Sequence, residues 1–337
     1  MQVLVTGGLG FIGSHTVVAL VEAGYEPIIL DNLSNSELFI LDRVQEITKK
    51  TIKFYKIDCL DYPNLEKVFQ ENNIQGVIHF AAYKAVGESV SEPLRYYENN
   101  LLSLIHLLKI MPKYQVENFV FSSSCTVYGQ TEMLPVNEQA PILPAFSPYG
   151  YTKQVCEQII KDTVFAQKTL KAIALRYFNP IGSHSSGLIG ELPKGIPNNL
   201  IPYITQTAIG LRKQLQVFGN DYPTSDGTCI RDFIHVCDLA EAHVKALEYL
   251  QKQQNGLIDF INVGTGNGVS VMEIIKTFEE VSGVTLNYTI APRREGDITE
   301  IYADATKSKQ MLHWEAKRPL RQALLDAWNW QKKLNSE

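Results

Sequence analysis

Polar and apolar positions follow two alternating rhythms along the first half of the chain. Short apolar, β-branched runs cover Val3–Thr6, Pro27–Leu30, Thr51–Asp58, Gly76–Ala82, Asn118–Ser124 and Ala172–Asn179. Between them lie stretches of helical spacing. Phe11 to Ala23, stopped by a C-capping Gly24, and Pro63–Asn72 are the clearest. Most of the runs are near-continuously apolar, as expected of strands buried on both faces. Strands separated by helix-length segments predict βαβ units, and so an α/β fold with a doubly wound parallel sheet. After Asn179 the texture changes. Residues 180–232 are rich in Gly, Pro, Asn and Ser and hold little sustained period. Asp238–Leu250 then predicts an amphipathic helix and Ile258–Val263 a strand, a return to the sheet. The expected division is a larger sheet lobe from residues 1–179 with 234–263, and a smaller mixed α/β lobe from 180–233 with 264–337.

Composition narrows the class without choosing an activity. The 337 residues are 45% apolar and 20% charged, enough for two cores. A formal net charge of −5 leaves no basic surplus for nucleic acid. No apolar run approaches the ~20 residues that span a bilayer, so no membrane partner is expected. The N-terminus reads as a core strand and not a signal peptide. Five scattered cysteines (Cys59, Cys125, Cys156, Cys229, Cys237) form no CxxC pair and no metal-ligand spacing. They are expected as small buried hydrophobes in a reducing, cytoplasmic compartment.

The first candidate chemistry follows the first strand. Gly7, Gly10 and Gly13 form GxxGxxG between a predicted strand and a predicted helix. Such glycines permit a tight turn, close approach of backbone to a pyrophosphate, and close helix–strand packing in Rossmann-like folds. The helix N-terminus would present free N–H groups to the phosphates. Asp31 ends the second strand, where a carboxylate accepts hydrogen bonds from an adenosine ribose and repels a 2′-phosphate. With no Arg or Lys between Asp31 and Leu41, NAD is expected over NADP. A second cluster, Gly264 to Gly268, has no acidic strand end after it and is expected to be a plain loop. No metal is expected.

The second candidate is catalytic. Ser122-Ser123-Ser124 ends the fifth apolar run, and Tyr149 and Lys153 open a later helical stretch at i, i+4, on one face. Among 16 tyrosines, only Tyr149 has a lysine four residues on. A nearby ammonium favours a phenolate, so Tyr149 is expected to titrate low enough to act as a base. Ser124 is placed to bond the same substrate oxygen. His79, inside the fourth run, reads as a packed core histidine.

This combination resembles the extended short-chain dehydrogenase/reductases that act on nucleotide sugars. Further segments resemble the UDP-glucose 4-epimerase family: Gly87-Glu88-Ser89-Val90, Tyr177-Phe178-Asn179-Pro180, Gly195 to Leu200, Phe218 to Tyr222, Arg231-Asp232 and Arg293-Arg294-Glu295-Gly296-Asp297. They run in order over nearly the whole chain. The resemblance implies interconversion of UDP-glucose and UDP-galactose with bound NAD. C4 would be oxidised to a ketone, the sugar would turn, and reduction would follow on the opposite face.

It also implies site residues. Phe11, Ile12, Asp31, Asn32, Asn35, Ser36, Asp58 and Cys59 would contact NAD. So would Phe80, Ala81, Ala82, Lys84, Asn99, Ser122, Tyr177 and Phe178, beside Tyr149 and Lys153. On the substrate side, Arg231 and Arg294 would hold the diphosphate, and Asn179, Asn199 and Leu200 the sugar or phosphate, with Lys84, Ser124 and Tyr149. Gln216, Val217 and Phe218 would hold uracil, and Asp297 the uridine ribose. Ile301, four residues after Asp297, would line the sugar pocket. A bulky Tyr there goes with glucose and galactose alone, and a small Cys or Ser with N-acetylhexosamines. Phe233 stands where many members have Tyr. Cys59 and Cys125 fall where the family varies. A homodimer through the helices after Pro93 and after Tyr149 is implied too. The rival readings are an N-acetylhexosamine or UDP-glucuronate 4-epimerase, a 4,6-dehydratase and a non-catalytic NAD-binding protein. The dehydratase lacks its Asp-Glu pair here, since Cys125-Thr126 follows Ser124.

Overall fold

The computed structural model describes residues 1–294 and 297–336. From the N-terminus run β1 (Gln2–Thr6), α1 (Phe11–Glu22), β2 (Glu26–Leu30), α2 (Phe39–Thr48), β3 (Lys53–Tyr55), α3 (Tyr62–Gln70) and β4 (Ile74–His79). Then come α4 (Val86–Ser91), α5 (Pro93–Ile110), β5 (Asn118–Ser124), α6 (Pro148–Gln167) and β6 (Lys171–Tyr177). The remainder holds β7 (Asn179–Ile181), α7 (Leu200–Ala208), β8 (Leu215–Phe218), β9 (Ile230–His235), α8 (Val236–Gln251) and β10 (Ile258–Val263). The chain ends with β11 (Gly268–Ser270), α9 (Val271–Ser282), β12 (Tyr288–Ala291), β13 (Glu300–Ile301), α10 (Thr306–Leu312) and α11 (Leu320–Ser336).

Among the described residues, seven strands form one parallel sheet in the order β10-β6-β5-β4-β1-β2-β3. The chain winds outward from β1 to β3, then restarts at β4 on the other side of β1. In open α/β sheets ligands bind outside the carboxyl ends of the strands at such a reversal. Strand alternation gives the sheet two apolar faces. Val3, Val5, Ile29, Ile78, Val120 and Ile173 pack with residues of α1 and α8. Leu4, Ile28, Val77, Phe119, Phe121 and Ala174 pack with residues of α3, α5 and α6. Full burial of each such aliphatic side chain stabilises by roughly 1.5–3 kcal/mol, and both faces must be covered for that gain.

A second sheet is built on β9, which carries β11 and β13 along its first half and β7 along its second. β8 pairs with β12 nearby. Three expectations change here. The third run shortens to Lys53–Tyr55, an edge strand with one neighbour. Asn179 leaves the sixth strand and opens β7, opposite Phe233, so the chain changes sheets within two residues of Tyr177. Residues 180–232 hold α7, β8 and the start of β9, elements too short for a sustained period. The cysteines are all free, but Cys125 and Cys237 are only half-buried. Among the described residues no helix is long and apolar enough to cross a membrane, and no side-chain cluster could hold a metal ion.

Several imidazoles are buried in this core. Burial pushes His15 and His79 down to about 3 and His243 down to about 4. His79 shares a hydrogen bond of 2.7 Å with the Thr6 hydroxyl, as befits a packed histidine. Below the ordinary histidine value the unfolded chain takes up protons that the folded chain refuses, so stability falls with falling pH. The urea midpoint is therefore expected to drop as pH falls from about 6.5 toward 4. A midpoint constant over that window would contradict the burial of these rings.

Candidate active site

β1 delivers the glycine turn to the sheet reversal. Gly7 sits at φ +68, a left-handed conformation that favours glycine. Its N–H donates to the Leu30 carbonyl at 2.8 Å, and the Gly10 N–H donates back to the Gly7 carbonyl at 3.1 Å. A Cβ on Gly13 would overlap the Gly7 carbonyl oxygen, and one on Gly7 would lie 2.9 Å from the Ala81 nitrogen. The turn is thus clamped between α1 and the end of β4. No side chain caps α1, so its first N–H groups, including those of Phe11 and Ile12, remain available for an anion.

Asp31 is 7% exposed and is a hub for the surrounding loops. Its carboxylate accepts from the Leu9 N–H at 3.0 Å, the Leu33 N–H at 2.9 Å and the Ser36 hydroxyl at 2.7 Å. Asn32 donates to Asp58 at 2.8 Å, tying the ends of β2 and β3 together beside buried Cys59. Asn35 is exposed on the same loop. Phe80, Ala81 and Ala82 continue beyond the end of β4, with the Phe80 ring 4.7 Å from that of His243. Lys84 and Asn99 take protein partners, Glu191 at 3.3 Å and Asn100 at 3.0 Å.

The catalytic candidates meet where α6 crosses the end of β5. Ser147 caps α6 by accepting the Gly150 N–H at 3.1 Å, with Pro148 in the first turn. Tyr149 is 8% exposed and Lys153 4%. The Lys153 ammonium donates to the Ser122 carbonyl at 2.7 Å and lies 4.8 Å from the Phe121 ring centre. Burial pushes it down to about 8, opposed by Cys156 and Glu157. The Ser122 hydroxyl meets the Tyr177 hydroxyl at 2.6 Å. Burial drives the Tyr149 phenol above its ordinary range, against the opposing Ser124 hydroxyl. A low-titrating Tyr149 is therefore not what the chain alone provides: burial outweighs the Lys153 ammonium, which donates to the Ser122 carbonyl and stands 5.9 Å from the ring centre. The chain by itself holds Tyr149 as a neutral phenol.

The second sheet gathers the remaining candidates. Arg294 grips Asp297 with two hydrogen bonds, 3.2 and 2.8 Å, and stacks 5.6 Å over the Phe218 ring. Arg231 approaches the same carboxylate at 3.9 Å. Ile301 pairs with Arg231 across β13 and β9 and is buried, 4% exposed, in a cluster with Phe178. Gln216 and Val217 precede Phe218 on β8, Val217 facing the core. Asn179 opens β7, while Asn199, before Leu200 at the start of α7, donates to Glu191 at 2.6 Å. Phe233 is packed in apolar core. Glu295 and Gly296 of the last motif lie outside the described residues.

Some residues of the site were given no role from the sequence. Buried Asp232 accepts from the Thr265 N–H and hydroxyl and from the Gly266 and Ala303 N–H groups. That explains the second glycine cluster, since a Cβ on Gly264 would overlap this carboxylate. Burial raises Asp232 against those bonds. Glu191 bridges Lys84 and Asn199. Glu157 and Arg176 form a buried pair behind Lys153. Glu157 alone carried a usable signal, standing four residues after Lys153 as Lys153 stands after Tyr149.

A family model described as GDP-mannose 4,6 dehydratase matches residues 4–326. With the glycine turn, the Tyr149/Lys153 pair and the appended second sheet, this places the chain in the class of extended short-chain dehydrogenase/reductases. The UDP-glucose 4-epimerase of Bacillus subtilis (strain 168) is 54% identical over 331 residues, covering 98% of this chain and 97% of that protein. The crystal structure of UDP-glucose-4-epimerase from Stenotrophomonas maltophila, with bound NAD and formylated UDP-arabinopyranose, superposes with TM-score 0.97 at 46% identity, covering 100% and 99%. That from Bifidobacterium longum, in complex with NAD+ and UDP, gives 0.95 at 48%, covering 99% and 98%. The chain belongs to the UDP-glucose 4-epimerase family.

The glycine turn makes its own prediction. An alanine inside a helix stabilises over glycine by roughly 0.5–1 kcal/mol, but overpacking costs about 1–3 kcal/mol. Gly13→Ala is therefore expected to lower the thermal midpoint by several degrees in calorimetry, and a raised midpoint would show that the turn has slack.

Proposed function

We propose that this chain interconverts UDP-glucose and UDP-galactose at C4. The observation that carries the reading is one buried Tyr149–Ser124–Lys153 group, in a chain with the glycine turn at the sheet reversal and an Arg231–Asp297–Arg294 cluster on the second sheet. The uncapped α1 N-terminus, the Gly7–Gly13 cradle and the Asp31 carboxylate fit NAD, with Phe11, Ile12, Asn32, Asp58, Phe80 and Lys84 around it. Bound NAD would supply the hydride acceptor and donor at C4 and a positive charge that favours the phenolate. Tyr149 takes the proton of the sugar 4-hydroxyl and later returns it. Ser124 shares that proton, and Lys153 steadies the phenolate. Arg231 and Arg294 hold the diphosphate by charge-assisted hydrogen bonds. Weaker neutral contacts leave the 4-keto sugar free to turn.

In this reading residues 1–179 with 234–263 serve NAD, and residues 180–233 with 264–337 serve the UDP-sugar. Buried Ile301 supports UDP-glucose and UDP-galactose as the main pair, with weak activity on N-acetylated sugars. A dehydratase would need a carboxylate after Ser124, where Cys125 and Thr126 stand. Exposed Leu94 on α5, and Tyr151 and Phe165 on α6, 78, 50 and 83% exposed, support a homodimer through these helices. Free cysteines support a cytoplasmic location.

Purified chain given UDP-galactose without added NAD is expected to form UDP-glucose, and to turn over UDP-N-acetylgalactosamine slowly and UDP-glucuronate not at all. Equal turnover of the N-acetylated sugar would overturn the pocket assignment. Tyr149→Phe should lower kcat by about 10²–10⁴-fold while retaining its NAD; unchanged turnover would remove Tyr149 from the chemistry.

A further inference from the structure

The face of α6 that carries Tyr149 and Lys153 continues one turn further to Glu157, 5% exposed. These three residues, spaced i, i+4 and i+8, engage three consecutive serines of β5. Ser124 lies beside the Tyr149 phenol, the Ser122 carbonyl takes Lys153, and the Ser123 hydroxyl donates to Glu157 at 2.6 Å. Ser123, Arg176 and Asn262 form one cross-strand row on β5, β6 and β10. The Arg176 guanidinium grips Glu157 with two hydrogen bonds, 2.9 and 2.6 Å, and donates to the Tyr128 hydroxyl at 3.1 Å. Tyr128 donates to Asn262 at 2.6 Å, and Asn262 donates to the Val136 carbonyl at 2.8 Å. Val136 in turn pairs with the backbone of Tyr302 and Asp304, next to Ile301. A buried ion pair is weak evidence for stability, because apolar replacement is often as good. Its position, one turn behind the reacting groups, asks for another account.

We propose that Glu157, locked by Arg176 and Ser123, is a positioning residue that sets the register of Tyr149 and Lys153 on β5. The proposal rests on Tyr149 being the base of the proposed reaction. Lys153 is faced by Tyr149, Cys156 and Glu157 on its own helix, by the Ser122 carbonyl and Phe121 ring on β5, and by His79 on β4. Around Tyr149 stand Tyr96 of α5, Cys125 and Tyr177 of β6. Glu157 is the carboxylate acting on Lys153, and both it and Cys156 raise the ammonium against burial.

The test is Glu157→Gln, which keeps the shape and removes the charge. Misplacement by about 1 Å costs on the order of a hundredfold, so kcat for UDP-galactose is expected to fall roughly 10- to 100-fold with KM nearly unchanged. The alkaline limb of the kcat profile should move to lower pH, and Glu157→Asp should restore it. NMR of isotope-labelled lysine in the unliganded chain should show Lys153 losing its proton at lower pH in Glu157→Gln. An unmoved Lys153 midpoint, or a loss of kcat that only tracks the folded fraction, would overturn the proposal. If Glu157→Gln does not fold, Ser123→Ala decides: reduced kcat at unchanged KM supports the role, and parental kcat refutes it. If the parent chain fails to turn over UDP-galactose, the functional reading falls and the Lys153 titration alone judges the proposal.

Discussion

A lysine ammonium buried to 4% exposure must be paid for, and the way Lys153 is satisfied organises the site around it. Its proton goes to the Ser122 carbonyl and its charge rests on the Phe121 ring. Both partners lie near the end of β5, so α6 can lie in only one register there. That register carries Tyr149 past the sheet edge to Ser124, and it inserts Glu157 into the polar row of Ser123 and Arg176. The same burial that fixes the geometry pushes the Tyr149 phenol up. The chain by itself therefore holds Tyr149 as a neutral phenol, and a positive charge beside it would favour release of the proton.

The second sheet is joined to the first by equally specific polar contacts. Asp232, with no exposed surface, collects N–H groups from the loop after β10 and from Ala303. This holds β13, and with it Ile301, against the end of the first sheet. The Arg231–Asp297–Arg294 cluster stands on the same β9–β13 framework. Two arginines held by one carboxylate retain a surplus positive charge, and the uncapped α1 terminus adds a partial one. An acidic chain can hold anions in this way, because local placement outweighs the overall charge.

The elements of the first lobe were legible because each strand is buried on both faces and each helix on one. Asn118–Ser124 and Ile258–Val263 were bounded correctly for that reason. β3 was overestimated because an edge strand pairs on one side only, so its pattern extends beyond its ladder. β7 was missed because Asn179 continues the apolar texture of β6 while pairing with β9, some 50 residues on in the chain. The GxxGxxG turn and the Tyr149/Lys153 pair were readable from local spacing. Asp232 and the Glu157–Arg176 pair were not, since their partners come from distant segments.

The amino-acid order alone determined the βαβ winding, the glycine turn, the acidic end of β2 and the shared face of Tyr149 and Lys153. These follow from local periodicity and backbone freedom. Tertiary structure decided the protonation of that pair, since desolvation depends on everything packed around a group. It also decided that Arg231, Arg294 and Asp297 converge, that a second glycine cluster serves a buried carboxylate, and that Glu157 meets Ser123 and Arg176 behind Lys153. Each of these depends on which strands become neighbours, and long-range pairing is not written in any short stretch of the chain.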